Sequence, residues 1–317
     1  MLFAQKKGLQ AHKKLNVNPM QKNKSVFLFV MLFIPMLHWA IFWLYVNSSS
    51  IFLAFQTRQG GWTLDNFTVF FDSLTRAGQD MNIAVKNTLL YFGVNVLICL
   101  PSSYIVAYFI YKKIAAYPVF RVIFYLPGIV SSIVLTMVFK QFIMPDGPLD
   151  VLLQKMFGVA LPRAGLLGQS STATNTILVY CIWTGLSGSF MVLGGSMARI
   201  PTELIESAKL EGCKPFREII SIVFPLTWPT FSTLLIVSMT GLFTSSGPML
   251  TLVDGNFETW TISYWIFYKV NGSVTGGVPG GYYNLVSAAG LFFTLLTVPV
   301  ILFVRWIIEK KIPSVEY

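Results

Sequence analysis

Along this 317-residue chain, six stretches of about twenty or more mostly apolar residues alternate with shorter polar segments. An α-helix rises 1.5 Å per residue, so about 20 apolar residues cross a hydrocarbon core of ~30 Å. The runs predict membrane-spanning helices at about 26–46, 84–111, 119–143, 174–197, 226–250 and 283–308. Pro35, Pro101, Pro127 and Pro299 fall inside four of them, which a lipid-embedded helix tolerates where neighbours or water satisfy the freed carbonyls. The first run follows a lysine-rich tail, yet it is longer than the apolar core of a secretory signal. Tyr45-Val46-Asn47 after it offers no small-residue cleavage pattern, so it reads as an uncleaved span.

With 54% hydrophobic and 11% charged residues at a mean hydropathy of +0.65, the chain is neither disordered nor an ordinary soluble domain, in which about a quarter of residues are charged. A formal charge of +10 raises nucleic acid as a partner. Nucleic-acid proteins, however, gather Lys and Arg on a soluble face and have no use for 27 Phe, so no nucleic-acid partner is expected. Position along the chain explains the charge instead. With the N-terminus inside, the tail carries Lys6, Lys7, Lys13, Lys14, Lys22 and Lys24 on that side, joined by Lys112, Lys113, Arg121, Arg199, Lys209, Lys214, Arg217, Arg305, Lys310 and Lys311. Only Arg58, Arg76, Lys86, Lys140, Lys155, Arg163 and Lys269 are left outside. The bias places both termini in the cytoplasm. The expected organisation is a cytoplasmic tail at 1–25, a first span at 26–46, an external loop at 47–83, a five-helix core at 84–308 containing a cytoplasmic loop at 199–225, and a second tail at 309–317. Cys99, Cys181 and Cys213 form no CxxC pair, and His12 and His38 both lie near the N-terminus, so neither a metal site nor a disulfide framework is expected.

The loop at 199–225 is too polar to cross a membrane and too patterned to be a passive connection. Pro201 suits a first helical turn and Gly212 a left-handed C-terminal position, with glutamates and good helix formers between; this predicts a short helix with Leu204, Ile205 and Ala208 on one face. From Pro215 a second helix is predicted, with Phe216, Ile219, Ile220, Val223 and Phe224 forming an apolar stripe suited to the membrane interface or to the ends of the spans.

Glu206-Ser207-Ala208, three residues, Gly212, nine residues and Ile222-Val223-Phe224-Pro225 resemble the EAA loop of ATP-binding-cassette importer permeases. Ser207 stands where that pattern has Ala and Phe224 where it has Leu, with the spacing intact. The segments Ser50 to Gln56, Leu64 to Phe67, Asn87 to Leu89, Leu126-Pro127, Tyr283-Asn284 and Ala288 to Gly290 are similar to the carbohydrate-uptake branch, while Phe139 departs from its usual Trp. The resemblance implies a type I importer permease fold in a bacterial plasma membrane. It also implies a second, homologous permease subunit, two cytosolic ATPase subunits that hold ATP and Mg, and an extracytoplasmic solute-binding protein; this chain itself would bind no cofactor. Glu206, Ser207, Ala208, Gly212, Ile222 and Pro225 would then couple to the ATPase, with Ala208 packing the docking face and Ile222 and Pro225 seating the elbow.

Polar residues within spans are candidates for a substrate path. Ser238, Gly241 and Ser245 form one stripe on the fifth span, and Trp183, Thr184 and Gly185 on the fourth offer an aromatic ring beside small residues. The same residues also suit close helix packing, and both readings stand at this point. No ionised side chain sits at the centre of a span, which favours a neutral oligosaccharide. Gly185-Leu-Ser-Gly188 has the form of an intramembrane serine protease motif, but Ser187 has no histidine on a later helix to act as base. No Gly-x4-Gly-Lys-Ser/Thr loop is present to cradle ATP, so no enzyme activity is expected. The alternative is a secondary transporter or channel for a neutral solute, against which stand the absence of an internal duplication and the loop pattern. Gly272, Gly276 and Gly280 with Pro279 read as external loop glycines, in a segment of about 248–282 whose Trp260, Trp265 and Tyr268 suit the outer surface.

Overall fold

The computed structural model describes residues 19–76, 78, 80–243, 247–271 and 282–311. Helices dominate; among the described residues the single β-type pairing is an isolated bridge between Gln56 and Trp62. Five helices are long and apolar enough to cross a membrane: Val26–Ala54, Asp80–Tyr111, Ser170–Met197, Pro215–Phe243 and Tyr283–Lys310. A bent pair, Tyr117–Ile129 and Ser132–Phe157, stands third in chain order and, counted as one span, brings the number to six. Large apolar side chains lie exposed along all of them, from Phe29 on the first to Phe303 on the last. Apolar exposure on that scale suits lipid, because the polar backbone is closed internally within the helices.

Four boundaries depart from the sequence pattern. The first span runs on to Ala54 through a π-helical stretch, Ala40–Tyr45, and its Val46–Ala54 end packs on the sixth span. The predicted loop after it contains a further helix, Asp65–Thr75. The third run is not one helix: it breaks at Val130 and Ser131, both outside the helical region, and the chain bends there by 110°. Pro127 and Gly128 explain the break, since one lacks the donor and the other the propensity to carry the helix through. A continuous apolar run conceals such a corner because hydropathy does not register backbone direction.

The fourth difference concerns the loop. No separate interfacial helix forms after the glycine; the chain from Pro215 is already the start of the fifth span, which passes through a π-helical stretch, Ile219–Val223, and continues to Phe243. The wider π turn immediately precedes Pro225, a residue with no N–H to give the preceding turn. It also splits the predicted apolar stripe: Val223 is fully buried, whereas Phe216 and Ile220 are exposed.

Three apolar clusters hold the spans together. One joins the loop-side ends of the second and fourth spans to the loop, around Tyr104, Tyr108, Phe190, Met197, Ile205 and Val223. Another, around Phe70, Met81, Trp265 and Phe293, lies at the opposite end. The third packs Leu135, Ile177 and Tyr180 against Met249 and Tyr264. Side-chain amides clasp the elements between clusters. Asn87 donates to the carbonyls of Glu258 and Trp260 at 2.8 and 2.9 Å. Asn66 and Asn284 both donate to the Gln56 carbonyl, and each reaches a second carbonyl, of Ala54 and Leu53 respectively. These amides fall in the segments that resemble carbohydrate-uptake permeases, and they act here as structural ties.

Candidate functional sites: the interspan loop and the central cavities

The loop helix is Thr202–Leu210, with Glu203 in its first turn and Lys209 in its last, each opposite in sign to the partial charge of the helix end it occupies. Pro201 sits at the N-cap, one position before its predicted place. At the other end Cys213 N–H reaches the Ala208 carbonyl at 2.9 Å and Gly212 N–H the Lys209 carbonyl at 3.0 Å, the paired closure of a Schellman motif. Gly212 has φ +74°, and a Cβ built on it would meet nothing within 4 Å. The demand for glycine there is therefore conformational and not steric.

Burial divides the predicted coupling residues. Ala208 (7% exposed) and Ile205 (6%) are buried, Ile205 in the apolar cluster with Tyr108, Met197 and Val223. Glu206 and Ser207 point outward, and Glu206 makes no hydrogen bond or ion pair among the described residues. Leu210 is 90% exposed beside them and Phe216 74%. Ile222 packs against the cluster, whereas Pro225 is exposed.

What fixes the loop to the spans is an ion pair that the sequence pattern did not single out. Glu218, 2% exposed in the first turn of the fifth span, accepts from Lys112 Nζ at 2.7 and 3.0 Å through its two carboxylate oxygens. Lys112 caps the C-terminus of the second span. Cation at a helix C-terminus and anion at a helix N-terminus are each favoured by the helix dipoles, and here they meet. Tyr108, one turn earlier, donates to the Pro215 carbonyl at 3.4 Å, and Tyr104 shares a buried hydrogen bond of 2.9 Å with Thr227. In the sequence, Lys112 registered only as a topology charge; the i to i+106 separation left no local signal.

Further along the same helices lie two cavities separated by the second span. The larger, of about 450 Å³, is lined by Thr184 and Gly185 from the fourth span together with Thr136 and the Pro127–Gly128 corner of the third. The smaller, of about 130 Å³, is lined by Ser238 and Gly241 from the fifth. Tyr91 and Asn95 of the second span line both, and sequence reasoning missed them because each is an ordinary residue in an apolar run. The Tyr91 hydroxyl is buried without a partner among the described residues. Among the described residues neither cavity has a charged side chain in its wall.

The substrate-path residues are thus not one site. Trp183 lies outside both cavities, stacked on Phe139 with ring centroids 6.4 Å apart. Gly185 serves packing as well as lining, since a Cβ there would stand 3.2 Å from Cys99 Sγ. Ser245 lies outside the described residues, as do the glycines at 272, 276 and 280. Ser187 is buried and donates to the Thr184 carbonyl at 2.9 Å, a packing role.

Residues 99–313, more than half of the chain and inclusive of both the loop and most of the cavity wall, match the family of the binding-protein-dependent transport system inner membrane component. The chain belongs to that family. It is a multi-pass membrane protein. Among curated relatives it is 29% identical over 175 residues to the probable ABC transporter permease protein YurN of Bacillus subtilis, covering 54% of this chain and 60% of that one. It is 28% identical over 121 residues to the maltose/maltodextrin transport system permease protein MalF of Yersinia pestis, covering 38% and 22%. With the diacetylchitobiose uptake system permease protein NgcF of Streptomyces coelicolor it shares 27% identity over 216 residues, covering 64% and 61%. The matched part spans less than two thirds of each of these relatives. In fold the permease resembles a chain of a bacterial alginate ABC transporter crystallised in complex with an alginate pentasaccharide-bound periplasmic protein, at a TM-score of 0.78 and 21% identity over 93% of this chain and 99% of that one.

Proposed function

We propose that this permease is one membrane subunit of an ATP-driven importer of uncharged carbohydrate in a bacterial plasma membrane, with both termini and the 199–225 loop in the cytoplasm. A second permease would complete the pore, two ATPase subunits carrying ATP and Mg would dock at the loop, and an external binding protein would deliver the solute. The observation that carries the coupling half of this reading is the contrast within the loop helix. Its inner face is locked by Ile205, Ala208 and the Schellman closure, while Glu206, Ser207 and Leu210 stand free. A rigid projection with an unpaired carboxylate beside apolar surface suits a cleft in a partner that offers basic or amide donors.

The transport half rests on relatives that import sugars and on the cavity walls. Tyr91, Asn95, Thr136, Thr184 and Thr251 offer hydroxyl and amide groups without charge, which matches glycan hydroxyls and leaves a carboxylated sugar without a counter-ion. The test is uptake by the complete transporter in proteoliposomes, supplied with the external binding protein and a panel of neutral and acidic glycans. ATP-dependent uptake of a neutral glycan, lost in Glu206→Lys with Gly212→Asp, is the expected result. Uptake that follows an ion gradient without ATP, or a double variant that still copurifies with its ATPase and transports, overturns the assignment.

A further inference from the structure

A third cavity, of about 540 Å³, opens at the loop-side ends of the second, third and fourth spans and plays no part in the sites above. Its walls carry two cations, Lys113 and Arg121, and three phenols, Tyr111, Tyr117 and Tyr125, with no carboxylate among them. Lys112 next door is held by Glu218, but neither the Lys113 nor the Arg121 side chain has a hydrogen bond or ion pair among the described residues. Arg121 lies one turn into the third span and is flanked by Val119, Phe120, Val122 and Ile123, which are 58%, 41%, 63% and 54% exposed. Apolar residues exposed to that degree on a span face lipid, and a guanidinium among them needs an anion at the membrane surface. The inner wall, from Ala107, Phe190 and Met191, is apolar. Cations at the edge and apolar surface within suit an amphiphile better than a free anion, which would leave that inner wall unfilled.

We propose that this cavity holds the phosphate head group of an anionic phospholipid, with Lys113 and Arg121 on the phosphate, the tyrosine hydroxyls on its ester oxygens, and the first carbons of an acyl chain against Phe190 and Met191. The site sits on the helix that carries Lys112 and so adjoins the ion pair holding the loop, which makes bound lipid a stiffener of that corner. It does not depend on which solute is carried.

The test uses the complete transporter, purified and exchanged into vesicles of phosphatidylcholine alone or with phosphatidylglycerol, then re-extracted and assayed for tightly held lipid by mass spectrometry. Wild type retains phosphatidylglycerol over phosphatidylcholine. Removing both cations in Lys113→Gln with Arg121→Gln lowers that retention roughly thirtyfold, at about one kcal/mol for each basic residue near an anionic surface. Arg121→Lys retains most of it. Gly195→Leu provides a second variant with all charges in place: Gly195 lines the cavity and a Cβ there meets nothing within 4 Å, so the added side chain fills the site without a clash and also abolishes retention. Equal retention by wild type and Gly195→Leu overturns the proposal. So does displacement of the lipid by millimolar inorganic phosphate, which would make this a soluble-anion site, and so does retention by the isolated chain but not by the assembled transporter, which would make it a subunit interface.

Discussion

Replacing Lys112 with Met is the sharpest probe of how the loop is held. The Glu218 side chain is 3% exposed and its ammonium partner 20%, with both carboxylate oxygens engaged at 2.7 and 3.0 Å. Methionine keeps the length and apolar stem of lysine but leaves a carboxylate buried without a counter-ion, at a cost of about 3–5 kcal/mol for a pair fully out of water. Because Lys112 retains some solvent, the lower end applies, about 3 kcal/mol, or roughly 150-fold in the equilibrium between seated and released loop. The cheapest escape is for the first turn of the fifth span to lift off the second span and take Gly212 to Pro215 with it. Cys213 lies in that stretch, half-buried, while Cys99 is buried in the second span. Maleimide labelling mapped to Cys213 should therefore accelerate by up to that factor in Lys112→Met. Lys112→Arg should label at nearly the wild-type rate, and Lys112→Met with Glu218→Leu should recover much of the loss, since an apolar pair restores what the lone carboxylate spoils. Unchanged labelling in Lys112→Met, or a double variant as labile as the single one, refutes the claim that this pair seats the loop.

Gly212→Ala should cost about 1–2 kcal/mol because alanine resists φ +74°, and Gly212→Asn clearly less; thermal midpoints of the purified transporter give the order. Asn284→Ala removes donors to the Leu53 and Gln56 carbonyls, at about 2 kcal/mol for the two, and should loosen the first span from the sixth, read as faster proteolysis between them. Tyr91→Phe deletes a hydroxyl that has no partner among the described residues, so the thermal midpoint should hold or rise while KM for the glycan increases about two- to tenfold; an unchanged KM excludes Tyr91 from the path.

The number of spans and most of their positions were legible because lipid imposes a length and a polarity on every span, and both are written locally. The Gly212 turn was legible for a similar reason: one residue's backbone preference marks a helix end. What escaped the sequence depends on direction or distance. Val130 and Ser131 turn the third span through 110° inside an unbroken apolar run. The π turn at Ile219–Val223 rotates half of an apparently regular stripe out of the core. Ala208 takes its coupling role from its position in the resembled pattern alone, which carries no information on its burial. Tyr91 and Asn95 carried no signal at all, since a cavity is a property of several helices together.

The second span joins the two halves of the proposed function. At one end Lys112 and Tyr108 bind it to the start of the fifth span; nearer the middle Asn95 and Tyr91 stand between the two cavities. On the proposed function, a displacement of the loop would enter this helix through a buried ion pair and not through a flexible connection. Between the two points the helix passes through a π stretch, Asn95–Cys99, which also meets the fourth span at Gly185. Such stretches are where a helix most readily changes register or bends. A rotation of the Leu100–Tyr111 segment about that stretch would move the loop end while shifting Asn95 relative to Thr184 and Ser238, altering both cavities at once. On this argument coupling does not require the loop to touch the substrate path. It requires the Lys112–Glu218 pair to stay closed throughout the cycle, so that variants weakening it lose transport before they lose ATP hydrolysis.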